Sequence, residues 1–280
     1  MWPVTVSTSK QLLPLYDKPL VHYPISTLML AGIREIAVIT TRKDQGSFSH
    51  LLGDGSKLGM NFSFLVQDEP RGLVDAFILG AEFIGVEACA LILGDNFFHG
   101  SRVGRQLAKN IEISGAKVFA QLVEDPTQYG VVEFDNGGRI ISIEEKPTSP
   151  RSRFAIPGIY FYDNSVVEVA KTIRPSARGE LEISDLNNHY LRNDLLVVEE
   201  LPRGTVWFDT GTFSNLNDAA NYVRLVQERQ GMKVACLEEI AFRNGWIDKE
   251  QLLAIAEKVP QKEYRNYLVR LSETLSGQQD

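Results

Sequence analysis

The chain has 280 residues, 44% of them hydrophobic and 23% charged, which is enough to bury the core of one large α/β domain, or of one domain with a helical appendage. A net charge of −7 and a pI near 5.3 exclude an overall pull toward nucleic acid or anionic membrane, while a few Lys and Arg could still converge on a phosphate. The only cysteines are Cys89 and Cys236. They lie outside any CxxC spacing, so a disulfide framework or zinc site is not expected; without a signal-peptide pattern or a spanning apolar run, the expected compartment is cytoplasmic.

In chain order, VHYPISTLMLAG (residues 21–32) reads as a helix closed by glycine, and IREIAVITT as a buried strand. A polar helix ending at LLGDG follows, then the strand NFSFLVQ and a helix over GLVDAFILGAEFIG. ACALILGDN is a continuous apolar run, the pattern of a strand buried on both faces. This alternation predicts a doubly wound sheet. After about residue 115 the pattern turns β-rich: KVFAQLV, VVEF, RIISIEE and IYFYD, with a hairpin centred on Asn136-Gly137. From Thr212 nearly everything is helical, and the last residues, SGQQD, are expected to fray.

The strongest local chemistry is LILGDNFFHG. Asp95 leaves an apolar strand on a glycine, at the sheet edge where open α/β folds place ligands. Such a carboxylate suits Mg²⁺, which takes one or two carboxylates with water and phosphate oxygens; equally, Asp95 can cap a turn or helix. Asp209 in TVWFDTGT has the same setting and the same two readings, an N-cap or a second metal ligand. Glu145 and Lys146 in EEKP end a hairpin strand, where the acid can bind sugar hydroxyls and the ammonium a phosphate; solvated surface is the alternative. Arg178, just ahead of a helix start in SARGELEISDL, is a phosphate seat or a surface residue. Lys10 in SKQLLPLYDKP can neutralise phosphate, and Gln11 and Gln67 can bond a base edge. GDGSKLG does not fit a dinucleotide fingerprint, and no Walker A, G-x-S-x-G or H-E-x-x-H spacing occurs.

Taken together and in order, SKQLLPLYDKPLVHYP, LMLAGI, LLGDGS, LGDN, YGVVEFD, EEKP, GIYFYD, RGELEISD and WFDTGT resemble the glucose-1-phosphate thymidylyltransferases over essentially the whole chain. The resemblance implies a Rossmann-like nucleotidyltransferase fold, α/β, with a mixed central sheet, a β-rich sugar-binding part and C-terminal helices. It implies a core over residues 1–231 and a C-terminal helical extension over 232–280 with an oligomeric or regulatory role. The implied reaction is dTTP plus α-D-glucose 1-phosphate to dTDP-glucose and pyrophosphate, feeding deoxysugar (dTDP-rhamnose) synthesis. Mg²⁺ is implied on Asp95 and Asp209, with Lys10 and Lys146 as catalytic cations and Gln11, Gln67, Gly72 and Asp95 at the nucleotide. Gly130, Glu145, Lys146, Ile156, Tyr160 and Arg178 match positions around the sugar phosphate. A homotetramer is implied, with feedback at a second nucleotide site that includes Cys236, Glu239 and Arg243.

The resemblance also sets an expectation for the start. Similar sequences carry a buried strand and a Gly-rich loop ending Gly-Thr-Arg-Leu ahead of the segment matching Trp2-Pro3-Val4-Thr5, and Met1 stands at that Leu. The expectation is therefore an N-terminally truncated core, from a start codon taken too far downstream or a recent truncation. A central strand is worth on the order of 10 kcal/mol of apolar burial, comparable to a domain's net stability. Beside the base pocket, similar sequences often read VQPSPDGLAQA where this one has VQDEPRGLVDA, changing Asp68, Glu69, Arg71, Val74 and Asp75; Pro157 replaces a common Thr. The open alternatives are the same transfer with UTP or another hexose phosphate, and a non-catalytic remnant that binds nucleotide sugar.

Overall fold

The computed structural model describes residues 1–274; the closing SGQQD lies outside them. Single 3₁₀ turns at Val4–Val6 and Lys10–Leu12 lead into a small hairpin, β1 (Pro14–Leu15) and β2 (Lys18–Pro19). The α/β part follows: α1 (His22–Leu30), β3 (Glu35–Thr40), α2 (Gln45–Leu52), β4 (Asn61–Val66), α3 (Asp75–Leu79), α4 (Ala81–Ile84) and β5 (Cys89–Ile92). Next come β6 (Asn96–His99), α5 (Val103–Ala108), β7 (Ala116–Leu122), β8 (Gly130–Phe134), β9 (Ile140–Glu145), β10 (Phe154–Ile156) and β11 (Ile159–Tyr162). The chain continues through α6 (Val166–Thr172), α7 (Ile183–Arg192), β12 (Leu196–Glu200), β13 (Val206–Asp209), α8 (Phe213–Gln230), α9 (Leu237–Arg243), α10 (Lys249–Lys258) and α11 (Lys262–Thr274).

Local chemistry explains the element ends. Gly32, at φ 89°, follows α1 in the left-handed region. The single helix expected over GLVDAFILGAEFIG is two, broken at Gly80, a poor helix former. The β8–β9 hairpin turns where Asp135 Oδ1 accepts from Gly137 N (2.8 Å) and Arg139 N (2.9 Å). Asp248 and Gln251 form a capping box on α10.

A mixed sheet runs β5-β11-β7-β10-β8-β9, with β12 parallel to β7. The strands β3 and β4 pair parallel as a separate sheet, and β6 and β13 form an antiparallel ribbon. Helices α9 and α11 share one apolar core with α1: Leu237, Ile240, Leu268 and Leu271 pack in the cluster that holds Ile25, Leu28, Met29 and Phe62. No helix among the described residues is long and apolar enough to cross a membrane.

One expectation fails in an informative way. The doubly wound sheet is split between β3 and β5 by a cavity of about 830 Å³, lined by Ala37, Ile39, Ala90 and Ile92 among others. All of Cys89–Ile92 are half-buried, not buried on both faces as the apolar run predicts. The hydrogen-bond pattern shows why. Leu93 N donates to Gly158 O on the β11 side (2.9 Å), so by strand alternation Ala90 and Ile92 turn their N–H and C=O groups the other way. In β3, the carbonyls of Arg34 and Thr40 accept from Asn61 N and Gln67 N beside β4, so Ala37 and Ile39 face away. Two sheet edges therefore confront each other across an apolar gap, with no strand between them among the described residues.

Candidate active site

The acids that looked alike in sequence meet through a strand pairing that no local pattern announces. The residues after Asp95 form β6, which pairs antiparallel with β13 in a register that puts Asn96 opposite Asp209. Thr210 locks the junction, donating its N (2.9 Å) and Oγ1 (2.7 Å) to the carbonyl of Asp95. Neither acid is a helix cap. Thr212 caps α8, its hydroxyl accepting from Asn215 N at 3.1 Å, and the Asp95 carboxylate meets Lys10 Nζ and Asn96 Nδ2 (3.1 Å).

Burial first, and then the neighbouring charge of Asp95, push the Asp209 carboxyl above its ordinary value. Its hydrogen bond from Gly211 N and the charges of Lys10 and Lys146 pull the other way. Two acids and two ammonium groups thus share one electrostatic neighbourhood. Lys146, next after β9, is held at φ 43°, an uncommon backbone for a residue with a side chain. Its N–H bonds Tyr129 O at 3.0 Å.

Asn96 is the site residue that sequence reasoning passed over. It is 2% exposed, and its Oδ1 accepts from Trp207 Nε1 (2.6 Å) and Gly158 N (3.1 Å) while its amide donates to Asp95. One side chain therefore ties the end of β5 to β11 and β13. Trp207 stacks obliquely on Tyr129, ring centres 4.8 Å apart, and Tyr129 lies near enough to Asp209 for that charge to help burial raise its hydroxyl pKa. Only a buried polar residue directly beside an acid hinted at such a role.

The expected sugar-phosphate residues largely converge. Strand register sets Gly130 of β8 against both Glu145 of β9 and Ile156 of β10. A methyl on Gly130 would stand 3.3 Å from Ser184 Oγ and 3.5 Å from Glu145 Oε2, and Ser184 of α7 donates to that same Glu145 oxygen. Tyr160 of β11 is buried, its hydroxyl pKa raised by burial and then by the charges of Glu145 and Asp95. It lies within electrostatic reach of both acidic groups. Arg178 sits on the turn before α7, its guanidinium 3.6 Å from Glu180 and Glu182.

On the other flank, Lys10 and Gln11 occupy a 3₁₀ turn against Gly94, where a methyl would come within 3.0 Å of Gln11 Cγ. Gln67 follows β4 and bonds Asp75 and Gly72. Gly72 has φ 104°, and an added Cβ would lie 2.5 Å from both Leu181 N and Leu181 O. Its glycine is required by backbone and packing whatever else binds there. Gly72→Ala is expected to cost about 2–4 kcal/mol in urea denaturation; an unchanged midpoint would show that the loop relaxes freely.

The residues expected at a second site are mostly interior. Cys236 and Glu239 are 1% and 6% exposed; Glu239 takes hydrogen bonds from Tyr267 and Arg243, and burial pushes the Cys236 thiol well up. Arg243 remains half out in solvent.

For a metal, Asp95 and Asp209 are the available pair; no group of three or more His, Cys, Asp or Glu suited to a metal occurs among the described residues. Two hard carboxylates that repel each other fit a divalent cation completed by phosphate and water oxygens.

The family model for Nucleotidyl transferase matches residues 1–225. A glucose-1-phosphate thymidylyltransferase of Mycobacterium tuberculosis is 52% identical over 273 residues, covering 98% of this chain and 95% of that one. One from Neisseria meningitidis is 52% identical over 272 residues, covering 97% and 94%. A Bacillus anthracis crystal structure titled as a glucose-1-phosphate thymidylyltransferase in complex with a sucrose superposes with TM-score 0.73 at 38% identity, covering 80% of this chain and 90% of that one. A UDP-glucose pyrophosphorylase, at 24% identity and TM-score 0.69, shares the fold. By that family match and those relatives, the chain belongs to the nucleotidyl transferase family, a family of transferase enzymes, and within it to the glucose-1-phosphate thymidylyltransferases.

Proposed function

We propose that this chain transfers a thymidylyl group from dTTP to α-D-glucose 1-phosphate, releasing pyrophosphate. The observation that carries the reading is the β6–β13 pairing, which brings Asp95 and Asp209 into the electrostatic neighbourhood of Lys10 and Lys146. A phosphate oxygen of the sugar forms a bond to the α-phosphorus as the bond from that phosphorus to the bridging oxygen of pyrophosphate breaks. The attacking oxygen is already ionised, so no general base is needed; what remains is positioning and charge neutralisation. Lys10 and Lys146 offset the gathered negative charge, Glu145 accepts from sugar hydroxyls, and Gln11 and Gln67 read the base.

Mg²⁺ held by Asp95 and Asp209 would polarise the α-phosphate. The enzyme is further proposed to be a cytoplasmic homotetramer with feedback at a second site that includes Cys236, Glu239 and Arg243; the assembly and second site rest on the motif resemblance set out for the sequence, and the compartment on two cysteines outside any disulfide or zinc spacing. Pyrophosphate release from dTTP and glucose 1-phosphate tests the activity. It is expected to fall to background with EDTA and to return with excess Mg²⁺. Binding of dTDP-glucose with no release under any divalent cation would instead make the chain a nucleotide-sugar binder.

A further inference from the structure

Gln67 is held in a single orientation by a residue that has no reason to contact substrate. Its amide nitrogen lies 2.9 Å from Asp75 Oδ2 and 3.4 Å from the carbonyl of Gly72. Asp75 is 1% exposed, and its other oxygen is taken by Arg71 Nη2 at 2.6 Å. A carboxylate bound to a guanidinium has acceptors only. It can receive the NH₂ end of a glutamine but not its oxygen, so a flipped Gln67 would set oxygen against oxygen in a buried place. With both amide hydrogens directed at Asp75 and Gly72, the group left for the cavity is the carbonyl Oε1. Gln67, Gly72, Gln11 and Asp95 line that cavity together.

We infer that Asp75 is a positioning residue that sets base preference by presenting Gln67 as an acceptor alone, selecting nucleotides whose base offers a ring N–H. Thymine and uracil carry such an N–H at N3. Cytosine carries a lone pair there, which would face the Gln67 oxygen. A polar site built for one hydrogen-bond direction rejects the opposite one strongly, because the buried partner is left unpaired. The inference rests on the proposed nucleotidyl transfer and adds how the base is chosen.

The test is Asp75→Asn, nearly the same shape but able to offer either oxygen or NH₂, so that Gln67 is free to turn. For parent and variant, calorimetric binding of dTTP and dCTP is compared, together with steady-state kinetics. The parent is expected to favour dTTP strongly. The variant is expected to show a dTTP KM raised roughly 10-fold, kcat and the glucose 1-phosphate KM held within about 2-fold, and a dTTP/dCTP ratio narrowed at least about 10-fold. A merely structural role would lower kcat or Tm without moving that ratio. If Asp75→Asn does not fold, Asp75→Ser, whose hydroxyl also donates or accepts, serves the same comparison. A folded variant with an unchanged ratio overturns the inference and leaves the function standing. A parent that binds dCTP as well as dTTP also overturns it, and a parent that binds neither nucleotide sinks both.

Discussion

Asp209→Asn is expected to inactivate the enzyme and to stabilise it. Loss of one of the two carboxylates proposed to hold the metal should lower kcat/KM about 10²–10³-fold. Stability moves the other way because the folded protein works against the Asp209 charge. Burial and Asp95 raise its carboxyl above the ordinary value, so in the folded state it holds its proton to higher pH than in the unfolded chain. The sign follows from linkage: a group that binds protons more tightly when folded favours the fold at low pH, and its ionisation costs stability as pH rises through the folded pKa. The neutral asparagine lacks that cost. Tm of the variant should exceed that of the parent at neutral pH, and the difference should close on acidification, where Asp209 is protonated in both states. Thermal melts across pH with kinetics at neutral pH check both parts. A variant less stable than the parent at neutral pH would mean that the Gly211 bond to Asp209 Oδ1 (2.9 Å) outweighs the repulsion.

Filling the gap between β3 and β5 should stabilise the folded protein. An acetylated apolar octapeptide rich in Val and Ile, with a lysine at each end for solubility, is expected to enter as a strand. The N–H and C=O groups of Ala37 and Ile39 on one side, and of Ala90 and Ile92 on the other, offer it a ladder on both edges. Roughly half a dozen apolar side chains would be buried, a gross gain of about 10 kcal/mol, cut by association and ordering. A net of roughly 7 kcal/mol corresponds to a Kd near 10 μM. At about 100-fold excess over Kd, linkage adds roughly 2.7 kcal/mol, or about 5–10 °C in Tm. Hydrogen exchange supplies the local readout. Amides of Ala37, Ile39, Ala90 and Ile92 should exchange fast in the free protein and slow with peptide, whereas those of Ile36 and Leu91, already laddered, change little. A Tm and exchange pattern indifferent to peptide would show that the edges do not accept a strand.

Much of the architecture was legible locally because its causes are local. The helix over residues 21–32 ends where a glycine takes a left-handed backbone, the Asn136-Gly137 hairpin turns where expected, and strands β3, β4 and β7–β9 follow their apolar runs. Gly130, Glu145 and Ile156 came together because a hairpin and its neighbour fix register over short chain distances. The helix expected over GLVDAFILGAEFIG broke for a local reason, at Gly80, but the larger failure came from a neighbour. The run Cys89–Ile92 is as apolar as a central strand, yet half-buried, since burial depends on what lies across the sheet edge and not on the strand's own composition.

The sequence by itself determined the set of chemical groups: strand-end acids, two lysines, a glutamine after β4, and apolar patterning that commits the chain to an α/β fold. Tertiary structure alone decided which of them act together. Asp95 and Asp209 become neighbours only through the pairing of β6 with β13, and Gln67 acquires a direction only because Asp75 stands against its amide. The physical reason is range. Backbone preference and hydrophobic period act over a few residues, whereas strand partners, charge neighbourhoods and hydrogen-bond direction are properties of segments that meet only once the chain has closed on itself.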